Sequence, residues 1–111
     1  MSLANPGVVD LVSVTASGDE VIVHIIATEP WGEEQFFQLQ SKLKNTVAFA
    51  VDGQLERTYP EVAGKTKAIE IRADFPPSDA VEKLVEAARA RWCAPEGIRL
   101  SLKVQGGSGA V

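Results

Sequence analysis

The sequence predicts an α+β fold of order ββαβαβ, two layers deep, with two helices on one face of a mixed or antiparallel sheet. Three observations lead there: two β-branched runs joined by a tight turn, a long helical stripe beginning near Trp31, and two clean alternating segments in the second half that flank another helix. At 111 residues, 45% apolar and 23% charged, the chain has room for one core and a composition that can sustain it. We divide it into an N-terminal extension over 1–7, a single domain over 8–104 and a flexible Gly/Ser tail over 105–111.

Val8–Thr15 is rich in β-branched residues and reads as a strand. Ser17-Gly18-Asp19 supplies turn chemistry, so Val21–Ala27 should return antiparallel as the second arm of a hairpin. Within that arm Val21, Val23, Ile25 and Ala27 point one way, and Ile22, His24 and Ile26 the other. Both faces are apolar, which marks a central strand or one whose second face is covered. Thr28, Pro30, Glu33 and Glu34 suit a helix start, and Phe36, Leu39, Leu43, Val47 and Ala50 fall on one helical stripe that Asp52-Gly53 ends.

Residues 54–65 read either as loop or as a short strand, which would make the order ββαββαβ. Lys67–Phe75 alternates, with Ile69, Ile71, Ala73 and Phe75 inward and Glu70, Arg72 and Asp74 outward. Pro76-Pro77 breaks the strand, Ser78 can cap, and Val81, Leu84, Val85, Ala88 and Trp92 form the second helical stripe. Pro95-Glu96-Gly97 stops that helix, and Ile98, Leu100, Leu102 and Val104 alternate with Arg99, Ser101 and Lys103 as the last strand.

Charge is unevenly spread. Residues 1–41 hold six acidic side chains and no Lys or Arg, whereas all eleven basic residues come later, interleaved with nine acids. Scattered basic residues do not make a phosphate-binding stripe, so no nucleic-acid partner is expected. There is no span long enough for a bilayer and no signal-peptide pattern, which together with a single cysteine points to a cytoplasmic protein that does not engage membranes.

No cofactor or metal is expected. Neither a Walker pattern nor GxGxxG is present, the sole histidine, His24, excludes sites that need two, and Asp19-Glu20 and Glu33-Glu34 lack calcium-loop spacing. Cys93, late in a helix beside Trp92, reads as an inert half-buried thiol. His24 remains the one candidate base, with Asp10 or Glu29 to orient it, and it defines the alternative of a small enzyme or ligand-binding domain. Trp31, Phe37, Phe49 and Tyr59 lie off the core stripe and, with Ile22 and Ile26, form the candidate interaction surface. A non-catalytic module that binds a protein partner, or itself as a homodimer, is the reading these residues favour.

The run Leu39-Gln40-Ser41-Lys42-Leu43-Lys44-Asn45, followed by Phe49, Asp52-Gly53-Gln54-Leu55 and Tyr59-Pro60, with Val9-Asp10 and Trp31 upstream, resembles a family of small bacterial domains of unknown function. That family's pattern is an LQ-x-K-(L/I)-N helix and a following (S/D)G-x-(L/I)…YP segment. This chain departs from it with Lys44 where the Asn would fall, and with Ala27–Pro30 where an Asp usually precedes the Trp. The resemblance implies a single-domain bacterial protein over about residues 8–104 and no particular activity.

Overall fold

In a computed structural model that describes residues 11–104, the chain runs β1 (Leu11–Val14), β2 (Glu20–Ala27), α1 (Glu33–Val51), α2 (Gln54–Thr58), β3 (Thr66–Ala73), α3 (Asp79–Ala88) and β4 (Arg99–Val104). The strands form one mixed sheet in the order β1-β2-β3-β4. β1 is antiparallel to β2, while β2–β3 and β3–β4 are parallel. β2 is therefore central, as its two apolar faces require. The expected start of the first strand and the Gly/Ser tail lie outside the described residues.

The hairpin turns at Gly18, whose φ of 80° is open to glycine at no steric cost. Thr15 N–H donates to the Glu20 carbonyl at 2.9 Å. Because antiparallel ladders alternate, the N–H groups of Leu11 and Ser13 then point inward to β2, and those of Val12 and Val14 point outward from the sheet edge.

α1 starts three residues after Pro30, later than the Thr28 and Pro30 signals suggest. Gly32 is the cap, and its N–H donates to Gln35 Oε1 at 3.0 Å. Val21, Val23, Ile25 and Ala27 of β2, with Ile69, Ile71 and Ala73 of β3, face the helices. Leu39, Leu43, Val47 and Ala50 of α1 and Val81, Leu84, Val85 and Ala88 of α3 close over Ile25, Ile69, Ile71 and Leu100 as the main core. Both stripes are as the sequence predicts.

Residues 54–65 form no strand, so the ββαββαβ order does not hold. Gln54–Thr58 is the short helix α2 and Pro60–Val62 a 3-10 turn. Leu55 and Val62 join Val21 and Val23 in a second core cluster, flanked by Val12, Phe49 and Tyr59. The Tyr59 segment thus covers the helical side of β2, not the opposite side.

β3 ends at Ala73, so Phe75 lies past the strand and is exposed rather than inward. β4 begins at Arg99, and its Val104 end is likewise exposed. α3 continues as a π turn, Arg89–Cys93. The wider turn leaves Trp92 partly buried and Cys93 fully buried instead of half-buried.

Leu43 is completely buried between α1 and the sheet. Leu43→Ala should lower unfolding free energy by about 2 to 5 kcal/mol, the range for truncating a buried leucine. Urea unfolding followed by circular dichroism measures this directly.

Candidate functional site

With α1, α2 and α3 all on one side, the other face of the sheet carries no helix among the described residues. Strand register lays out that face in rows. Leu11, His24, Glu70 and Ser101 are cross-strand partners in one row. Ser13, Ile22, Ala68 and Arg99 make the next, and Ile26, Arg72 and Lys103 a third. The β1–β2 half is thus mostly apolar, and the β3–β4 half is charged.

His24 sits at the centre, 3% exposed. Its Nε2 is 2.8 Å from Ser13 Oγ, and its Nδ1 lies 3.8 Å from Glu70 Oε2 without a hydrogen-bond partner. Glu70, itself buried, is paired with Arg72 at 2.9 Å and Lys103 at 3.5 Å. Burial pushes the His24 pKa below its ordinary 6.5, and Arg72 pushes it further, against the opposing pull of Glu70. The ring is therefore neutral at pH 7. A proton on Nδ1 would face Glu70 and leave Nε2 to accept the Ser13 hydroxyl.

Burial pushes the Glu70 carboxyl up, but the Arg72 hydrogen bond, the charges of Lys103 and Arg72 and, in acid where the ring is protonated, that of His24 outweigh it and hold the group below its usual range. Ser101 Oγ, next in the row, is buried and also lacks a partner. At the lower end of the face Arg99 pairs with Glu20 at 2.6 Å.

The carboxylate beside His24 is therefore Glu70, not Glu29. Glu29 instead lies within 3.4 Å of Gln35 Nε2, and Asp10 is outside the described residues. Ser13 follows from the hairpin register, which a two-arm reading around Gly18 can supply. Glu70 does not, because parallel register depends on how α1 packs.

The six candidate interaction residues do not gather on one surface. Ile22 and Ile26 lie half-buried on the helix-free face. Phe37 is 55% exposed on α1 and meets Phe36 edge-to-face at 5.3 Å. Trp31 packs against the main core, where its Nε1–H donates to the Phe75 carbonyl at 3.0 Å. Phe49 and Tyr59 pack against the second cluster on the helical side. Lys42, inside the LQ-x-K run, is buried and engaged, a placement its exposed chemistry does not signal.

Among the described residues no three His, Cys, Asp or Glu side chains cluster as metal ligands. No described helix is long and apolar enough to cross a membrane. Burial raises the Cys93 thiol pKa, so the thiol stays protonated and unreactive.

The model of a family of unknown function (DUF6572) matches residues 1–106. No curated protein and no solved structure matches the chain.

The lowered His24 pKa has a defined sign. Between 6.5 and the lower folded-state value the unfolded chain binds more protons, so the stability this group contributes is complete above 6.5 and is lost as the pH falls. Wild-type unfolding free energy should fall from pH 7 to pH 5, with a slope from this group no steeper than about 1.4 kcal/mol per pH unit. His24→Asn should flatten that segment. Glu70, held below 4.5, acts only in stronger acid.

Proposed function

The chain belongs to that family of unknown function, and on this premise we propose that it is a non-catalytic protein-interaction module that associates with itself through the β1–β2 side of its sheet. It works in the cytoplasm, where a lone buried thiol such as Cys93 stays reduced. The observation that carries this reading is the apolar group of Leu11, Ile22 and Ile26 on a face that no described helix covers, with Leu11 46% exposed. Leaving apolar surface in water forfeits about 25 cal/mol per Å², and a second copy docked at the β1–β2 side is the simplest way to shield part of it.

The Ser13–His24 hydrogen bond supports a second reading, in which His24 acts as a general base. It is the weaker one. Glu70 is committed to Arg72 and Lys103, and the Ser13 N–H is spent in the ladder, so an oxyanion beside Ser13 would lack that donor. Hydrolysis of an activated acyl ester that disappears in Ser13→Ala would favour the second reading.

Light scattering at micromolar concentrations tests the first. The expected mass is that of two chains, falling towards one on dilution. A single-chain mass for the wild type at every concentration would overturn self-association.

A further inference from the structure

The two edges of the sheet are built differently. β4 carries Arg99 and Lys103, and such charges on an edge strand hinder pairing with another strand. β1 is Leu11-Val12-Ser13-Val14, with no charge and no proline. Its Leu11 and Val14 are 46% and 43% exposed. The ladder alternation directs the N–H and C=O groups of Val12 and Val14 away from β2. Among the described residues nothing pairs with this edge, and an edge of this kind is complemented by one chemistry, the backbone of another extended segment.

We propose that β1 pairs antiparallel with β1 of a second copy about a twofold axis at Ser13, joining the two sheets into one continuous eight-stranded sheet. In this register Val12 of one copy and Val14 of the other exchange both backbone hydrogen bonds, twice over by symmetry. These are the outward-pointing residues. Ser13 meets its own copy as a non-hydrogen-bonded pair, and Leu11 meets Thr15.

Every cross-strand pair is uncharged, so self-pairing meets no like-charge repulsion, and the Val12–Val14 pairs are β-branched contacts of the kind that stabilise sheets. The same pairing sets the apolar halves of the two helix-free faces side by side, away from the charged β3–β4 halves. The proposal rests on self-association and specifies its contact.

Two variants test it. Val14→Pro removes an outward N–H that β2 does not use, so the chain should keep its fold, as far-ultraviolet circular dichroism would show, and lose the dimer mass. Ser13→Cys places two thiols across the axis, where a non-hydrogen-bonded pair brings Cα atoms to about 4.5 Å. Mild oxidation should link most chains into covalent dimers, whereas Lys103→Cys on the opposite edge should stay monomeric on a denaturing gel.

A folded Val14→Pro that remains dimeric, or equal cross-linking of both cysteine variants, would overturn the edge contact. Should Val14→Pro fail to fold, the cysteine pair decides. A wild-type dimer lost in Ile26→Asp without Ser13→Cys linkage would leave self-association standing and move it to the sheet face. A monomeric wild type with no linkage would remove both.

Discussion

The sequential parallel crossover is the constraint on which this molecule depends. β2 passes through α1 to β3, and β3 passes through α3 to β4, each step moving one strand in the same direction across the sheet. Crossovers of this kind share one hand, so two steps in one direction place both helices on one face. A sheet whose order reversed midway would carry helices on both sides. Here the helical face takes all of Val21, Val23, Ile25, Ile69 and Ile71, and among the described residues the polar groups of the other face are satisfied by side chains of the strands themselves.

That requirement explains the polar row across the centre. His24 and Glu70 are buried in a sheet face, where an unpaired charge is costly. The ring avoids the cost by staying neutral and bonding Ser13, and the carboxylate by taking Arg72 and Lys103 from its own strand and the next. Arg72 both steadies Glu70 and discourages a proton on His24, so one cation serves two neighbours of opposite tendency.

Much of this was legible in the chain. The stripe of Leu39, Leu43, Val47 and Ala50 and the alternation through Ile69, Ile71 and Ala73 report burial directly, because their periods match their elements. Residues 54–65 were not legible, since Leu55 and Val62 are too sparse to carry a period and gain their meaning only when they close over Val21 and Val23. Glu70 was legible as outward but not as a partner of His24, forty-six residues earlier in the sequence, because that meeting is made by parallel register. Trp31, Phe49 and Tyr59 looked like surface anchors because they leave the stripe, yet α2 and the start of α1 supply secondary packing that a single helical wheel cannot represent.

The contrast between the two edges follows from the same layering. β4 receives α3 and its π turn, and Arg89 reaches from that turn to the Leu100 carbonyl at 3.1 Å, so its flank is braced by side chains. β1 enters through a hairpin and receives no crossover, so among the described residues no strand or helix lies beside its outward backbone groups. An edge in that position normally acquires a lysine, a proline or a bulge. Leu11–Val14 has none of these, and its own neutrality makes it complementary to itself. Among the described residues, a one-sided fold therefore concentrates its unfilled bonding capacity, apolar on the adjoining face and polar along the strand, at the β1 side.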